Sequence, residues 1–481
     1  FFIIKYYIMA DIPNELAYFV STMEGVSVNT FKVNAQTTGD VTSSRSIKFT
    51  LPNNTILNMR DVRLAFSLDT SGTGETRAPP SHLLVNRVAV SCGGIPLDSG
   101  CNNFGVLQEI LRVAHPHDCD LVDEHAEIYR NQNQTNLMDL SGQSEISSAP
   151  GVAFYTMSLG PLFDTIEPAL LDTSLLAELQ VEVFLANSNV VLCSDKSVTI
   201  AEFTTAPASP VTDAEFTMKN YHLICPCVAL ADKSFETMIS RAMSLNNYIP
   251  VNYHQYYNFA STYNGDFIGS NGSMCLNKLI AVFRDSGFDA RGQPAVKRLG
   301  YARTASLTIR GQSDAGTTDN PATVVFQGEG YPANEKYVHP QLNFHVPVSN
   351  ANSLPGNIGE TTNQVTSIPL LNWRVSNVMT PNYQVPVYEW YRLTKQALDS
   401  DEMDAKSLPE FMQNRYIVAQ ATNLPDTPVR RKTGIDMRNS TSQIRLESNG
   451  NGLLTSSDIQ VYFQCTTELQ IGSGLRISVL N

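Results

Sequence analysis

Apolar residues in this chain recur mostly at every second position, in short runs bounded by Gly, Pro, Asn and Ser. That period predicts strands at 29–35, 46–51 (SIKFTL), 62–68 (VRLAFSL), 83–90, 152–159, 175–185 (LLAELQVEVFL), 190–193 and 216–228. Further strands are predicted at 276–283, 305–310, 416–420, 443–447, 459–466 and 475–480, with short apolar pieces at 323–327 and 342–348. Two stretches change period. After the run from Leu83 to Val90 comes Gly93-Gly94, a pair able to take the positive φ of a tight turn. Asp98-Ser99-Gly100 breaks the chain again, and Asn102 or Asn103 can cap a helix beginning at the next residues. Phe104, Leu107, Ile110, Leu111 and Ala114 then fall at helical spacing, predicting a helix packed over the first set of strands. A second helix is predicted at 387–398 (VYEWYRLTKQAL). Acidic, partly helical segments follow each helix, at 118–130 and 399–412. Residues 11–23 read as a short amphipathic helix or an extended arm, and 234–243 as amphipathic.

The two halves repeat each other in outline. VRLAFSL at 62 matches LIAVFRD at 279, an offset of 217. VLQEILRVA at 106 matches VYEWYRLTK at 387, an offset of 281, which also sets Asp118 against Asp399 and Asp120 against Asp401. LQVEVFL at 179 matches IQVYFQC at 459, an offset of 280. Order and spacing kept together point to an internal duplication. Each unit then holds about eight short strands, with one helix before the last few, and eight antiparallel strands in two packed sheets make a jelly roll. The expected fold is all-β: two tandem eight-stranded jelly rolls, a double jelly roll, with short helices inserted in each. The strongest linker signal, TTAPASP at 204–210, divides the chain into an arm (1–24), a first jelly roll (25–207) and a second (208–481). The second carries an extended loop around 311–372, rich in Gly, Asn, Pro, Ser and Thr. The offset of 281 places Tyr388 where Leu107 stands, facing the second core.

Length and charge narrow the function. A chain of 481 residues exceeds one ordinary core. Charged residues make up only 16%, well under the usual quarter, which suits faces covered by neighbours. The net charge of −13 argues against a general nucleic-acid binder. The eight cysteines are scattered without paired metal-ligand spacing and read as free, buried thiols of an intracellular product. No apolar run reaches the length of a membrane-spanning helix. The opening FFIIKYYI lacks a cleavage-site pattern and precedes Met9, so it reads as translated upstream sequence.

Candidate chemistry is sparse. His115, His117, Cys119 and Asp120 (HPHDCD) resemble metal ligands, but the proline and the spacing fit a helix-end loop better than a zinc pattern. Cys225-Pro226-Cys227 reads as a strand edge rather than a redox pair. Asp118, Asp120, Asp123, Glu124, Asp399, Asp401, Glu402 and Asp404 read as solvated or inter-subunit faces of helical segments. Arg430-Arg431-Lys432 is a short basic patch that reads as an ordinary exposed loop rather than as a contact to genome or lipid on an inner face. Sequons at Asn53, Asn133, Asn271 and Asn439 are of a kind that often arises by chance, and no signal peptide pattern supports glycosylation. No phosphate-cradling glycine loop or GxSxG elbow occurs. The expectation is no catalytic, cofactor or metal site.

Residues 86–111, NRVAVSCGGIPLDSGCNNFGVLQEIL, resemble the strand, glycine turn and helix of the first barrel in double jelly-roll major capsid proteins of double-stranded DNA viruses. The likeness is to the virophage and Polinton-like virus type, and length, two-barrel spacing and low charge extend it across most of the chain. It implies a non-enzymatic capsid protein of the virion, assembled inside the infected host cell. Such subunits trimerise into pseudo-hexameric capsomers that tile an icosahedral shell with penton and minor capsid proteins. It also implies an outer tower from 311–372, an inner-surface arm from 11–23, and no specific nucleic-acid binding. A lectin-like or receptor-binding β-sandwich is the alternative. It requires an aromatic and carboxylate cluster on one loop face, and YHQYYNF at 253–259 offers the aromatics only. A glycoside-active enzyme would need acids at strand ends, whereas here they cluster in helical segments.

Overall fold

Strands with one apolar face must close that face against another, and two sheets doing so form a sandwich. The computed structural model of the chain describes residues 26–72, 75–77, 79–115, 153–194, 212–230, 239–241, 243–244, 247–285, 288–289, 291, 296–297, 306–308, 323–325, 337–347, 370–400, 403, 411–412, 415–424, 429, 432–438, 443–449 and 457–480. The first unit contains β1 (Val26–Asn34), β2 (Ser46–Thr50), β3 (Arg63–Ser71), β4 (Val85–Cys92), β5 (Ile95–Asp98), β6 (Ala153–Ser158), β7 (Leu179–Leu185) and β8 (Glu215–Leu230). The second contains β9 (Tyr248–Tyr263), β10 (Asp266–Gly269), β11 (Leu276–Asp285), β12 (Leu370–Val375), β13 (Val378–Pro386), β14 (Ile417–Ala421), β15 (Ile444–Asn449) and β16 (Ser457–Gly472).

The first eight pair as sheets β1-β8-β3-β6 and β2-β7-β4-β5. The second eight repeat that order as β9-β16-β11-β14 and β10-β15-β12-β13. All of these pairs are antiparallel, so each unit is a jelly roll and each strand has its counterpart eight strands later. Short strands at Val41–Thr42, Ile56–Asn58 and Leu170–Asp172 extend the first unit, and Ile477–Leu480 extends β16. Helix α1 (Phe104–Ala114) joins β5 to β6, and α3 (Trp390–Ala397) joins β13 to β14. Between them in the chain, a single short turn, α2 (Pro161–Thr165), follows β6. Gly93 (φ +56) and Gly94 (φ +85) make the tight β4–β5 turn, as the pattern predicts.

Several expectations change. Glu215–Leu230 does not open the second unit: it pairs with β1 and β3, so the first sandwich closes after Leu230 rather than at 207/208. Linker-like composition reports local backbone preference, whereas sheet membership is set by partners far along the chain. The match of 62–68 to 279–285 joins true counterparts, β3 and β11, and the matched helices are counterparts too. The match of 179–185 to 459–465 does not. It sets β7 against part of β16, whereas the counterpart of β7 is β15, so apolar alternation alone made that likeness. Leu342 lies in a 3-10 turn (Pro340–Leu342) and Phe344 in an isolated bridge to Arg415, not in a strand. Strands β5, β9, β10, β12 and β13 were not predicted. Residues 11–23, 118–130 and 204–210 lie outside the described residues, as does most of 311–372.

The two cores interleave. The first is built from residues such as Phe49, Leu64, Phe66, Val181 and Phe216, and takes in Val251, Tyr253, Leu469 and Ile471 from the second unit. The second is built from Leu279, Phe283, Trp373, Ile417 and Phe463, and takes in Val106, Leu107, Ile110 and Val113 from α1. Leu107 and Ile110 therefore face the second unit, not the first, while Phe104 stays with the first. Nine of the eleven α1 residues are buried, because a helix between two cores has no solvent side. Tyr388 is 37% exposed and does not take the place of Leu107; Trp390, at the start of α3, is the fully buried residue there.

Leu107→Ala should cost about 2–5 kcal/mol and Trp390→Ala about 3–5 kcal/mol, whereas Tyr388→Ala should stay within about 1 kcal/mol. Chemical denaturation of the purified chain measures all three, and a silent Leu107→Ala would remove the interleaved helix.

Candidate functional site: the seam between the sandwiches

The seam is built on α1. Asn103 precedes the helix in a left-handed conformation (φ +55), but its side chain does not cap the helix as expected. Its Nδ2 donates instead to Gln460 Oε1 at 2.9 Å and Asn258 Oδ1 at 3.3 Å, both in the second unit. Tyr462 donates its hydroxyl to the Asn103 carbonyl at 3.0 Å. At the far end, Ser400 Oγ donates to the Ala114 carbonyl. The helix is thus fastened at both ends to the neighbouring sandwich.

Its middle carries a buried charge. Glu109, 1% exposed, meets Arg415 of the second unit at 2.5 Å, Arg112 at 3.3 Å and His82 Nε2 at 3.2 Å. Burial alone would raise this carboxyl. The Arg415 guanidinium, with His82 and Arg112, overrides it and holds Glu109 well below the usual carboxylate range. Breaking such a pair leaves an uncompensated charge in the interior.

A second set of bonds joins β5 to β9. Tyr253 donates its hydroxyl to the Leu97 carbonyl at 2.5 Å, and Gln255 Nε2 donates to Asp98 Oδ1 at 3.2 Å. Asp98 also accepts from Gly100 N at 2.8 Å. Burial pushes the Asp98 carboxyl up to about 6 against the pull of those two donors. It lines a void of about 10 Å³ with Cys101, Phe104 and Tyr256, about the room of one water molecule. Beside it, Glu167 and Asn252 exchange backbone N–H···O bonds at 2.8 and 2.9 Å, and His254 N donates to Thr165 Oγ1 of α2 at 2.9 Å. Gly160, just before α2, has φ +93, and a Cβ there would lie 2.2 Å from the Phe104 ring. His339 closes the seam further along, with Nε2 2.9 Å from the Val190 carbonyl.

The residues singled out in the sequence lie elsewhere. His115 ends α1, and His117, Cys119 and Asp120 fall outside the described residues, as do Asp118, Asp123, Glu124, Asp401, Glu402 and Asp404. Asp399 pairs with Lys278 at 2.8 Å. Cys225 and Cys227 lie buried on β8 against the first core, with Cys225 pushed up to about 12 by burial. The seven described cysteines are free and buried. Lys432 of the basic patch pairs with Glu468 at 2.7 Å, while Arg430 and Arg431 are outside the described residues. Asn53 sits in an exposed turn. Asn271 donates to Cys465 Sγ at 3.0 Å, and Asn133 and Asn439 are outside. Among the described residues no group of His, Cys, Asp and Glu is placed to hold a metal, and no helix is long and apolar enough to cross a membrane. Glu109, Arg415, His82 and His339 were missed. The available signal was a carboxylate inside a helix with almost no polar face.

No family model and no curated protein matches the chain. Solved structures do. A quasi-atomic model of the PBCV-1 virus capsid superposes with a TM-score of 0.53 at 12% identity, over 95% of this chain and 97% of that one. PBCV-1 VP54, fitted into a reconstruction of the virophage Sputnik, gives 0.54 at 11% identity over the same shares. The Faustovirus major capsid protein gives 0.53 at 10%, over 93% and 91%. At these identities the likeness is one of fold, and it spans both jelly rolls.

Asp98 binds its proton more tightly folded (about 6) than at its ordinary value of 3.8, so its contribution is fullest below 3.8 and lost as pH rises through 6. Asp98→Asn keeps the acceptor oxygen and should stabilise the chain at pH 8 by roughly 1–3 kcal/mol, with little effect at pH 4. Melts across pH check this. Arg415→Met should cost about 3–5 kcal/mol at pH 7, and adding Glu109→Leu should recover part of it, giving a non-additive double-mutant cycle.

Proposed function

We propose that the chain is the major capsid protein of a double-stranded DNA virus, of the virophage and Polinton-like type. In this reading it trimerises into a pseudo-hexameric capsomer and tiles an icosahedral shell together with penton and minor capsid proteins. The observation that carries the reading is the interleaved seam. Two jelly rolls that exchange core side chains move as one block, and a shell tile must keep its two barrels in fixed relation. The full-length likeness of fold to capsid chains supports it. So do apolar residues left open on edge strands: Val28 and Phe31 on β1, Ile268 on β10, Val378 and Tyr383 on β13. Unpaired, apolar sheet edges call for a covering neighbour.

The same reading makes the chain structural rather than catalytic, with residues 311–372 as an outward tower and 11–23 as an inner arm. The lectin-like alternative has less behind it, since Tyr253 and Tyr256 of the aromatic run are buried on β9 rather than set on a loop face.

The purified chain should run in light scattering as a trimer of about 159 kDa, three times 52.9 kDa. Electron micrographs should show blocks of hexagonal outline. A monomer at micromolar concentration would sink the capsid reading.

A further inference from the structure

We infer that His339 is a proton-operated latch, holding the return of the long β11–β12 connection against the first unit until acid releases it. His339 is 2% exposed, and both ring nitrogens are committed in opposite roles. Nδ1 accepts the Gln341 backbone N–H at 3.1 Å. Nε2 therefore carries the hydrogen and donates to the carbonyl of Val190 at 2.9 Å, across the seam at the end of the Ser188–Val190 turn. A second proton has only Nδ1 to go to, where it would point at the Gln341 N–H. The docked ring has to stay neutral.

The surroundings reinforce this. His82 faces the ring from the Ser81–Leu84 turn, and Arg284 faces it from β11, donating also to the Gln341 carbonyl at 3.4 Å. Glu109 of α1 is the nearby anion, but Arg415 and Arg112 already hold it. Arg284 is likewise engaged by Asp458 of β16 at 2.7 Å. Burial, above all, brings His339 down to about 4, with His82 and Arg284 lowering it further and the Val190 carbonyl and Glu109 pulling the other way.

Once the segment lifts, the ring returns to its ordinary value of 6.5. Docking is then fully favoured above 6.5 and weakens as pH falls towards 4, because release takes up one proton in that window. The open population should rise up to about tenfold per pH unit and about 300-fold in all. Asp98, bonded to Gln255 instead of to this cluster, shifts in the opposite sense, so the readout has to be local.

Hydrogen exchange of the isolated full chain, followed by mass spectrometry from pH 7 to 4.5 and corrected for intrinsic rates, provides that readout. Peptides covering 338–344 should lose protection up to about tenfold per unit below pH 6.5. Peptides covering 97–101 should not lose protection in step. In His339→Gln, which keeps an N–H donor for Val190 and gains no proton, the 338–344 profile should be flat. A flat wild-type profile, or the same loss of protection in His339→Gln, would overturn the latch. If His339→Gln yields no folded chain, His339→Asn is judged by the same criterion. The measurement needs no assembled shell, so it can fail while the capsid reading stands, and the reverse.

Discussion

A carboxylate held in a protein interior stays ionised only while cations and donors surround it, and Glu109 draws one of its cations from the other sandwich. That requirement makes the two units depend on each other. If Arg415 moved away with its own sandwich, Glu109 would keep only Arg112 and His82 of its own unit and lose the cation that holds it most strongly. The apolar residues of α1 supply adhesion across the seam, and the ion pair supplies register. Dispersion and burial tolerate sliding, whereas a buried pair at 2.5 Å does not.

The same division of labour runs along β9 and β16. These sixteen-residue strands pair over their full length, and one end of the ladder lies in each core. Where they cross the seam their inward positions carry amides and hydroxyls: Gln255, Gln460, Gln464, Thr466 and Thr467 are all buried. Gln460 and Gln255 are hydrogen-bonded to Asn103 and Asp98 of the first unit, and Gln464 and Thr467 to Tyr256 and Gln255 across the ladder. Polar groups of this kind add little adhesion but make every misaligned docking costly, since each would leave buried donors and acceptors unpaired. For two units held in one relative position, alignment matters more than raw affinity.

Titratable groups on the seam do not all favour the same pH. Burial makes Asp98 prefer its proton and His339 refuse one, while the arginines keep Glu109 charged. The net response of the whole seam to pH is a balance among them. Single local contacts can therefore be much more sensitive to acid than the global stability of the chain.

The sequence by itself determined the local elements and the repeat. Period-two apolar runs, the Gly93-Gly94 turn and the helical spacing from Phe104 to Ala114 each have a backbone consequence that needs no distant partner. Two counterpart strands and the two counterpart helices could be matched on order alone. Tertiary structure decided which sandwich owns a strand and which way a helix faces. Glu215–Leu230 reads the same whether it opens one unit or closes the other, because pairing across a sheet leaves no mark on the strand's own alternation. Tyr248–Tyr263 was overlooked for a related reason: the buried polar residues that serve the seam interrupt its apolar rhythm. The face of α1 was assigned to the wrong core because an apolar stripe states only that it will be buried. What lies on the far side is settled by the second sandwich, through Arg415, Gln460 and Ser400, far along the chain.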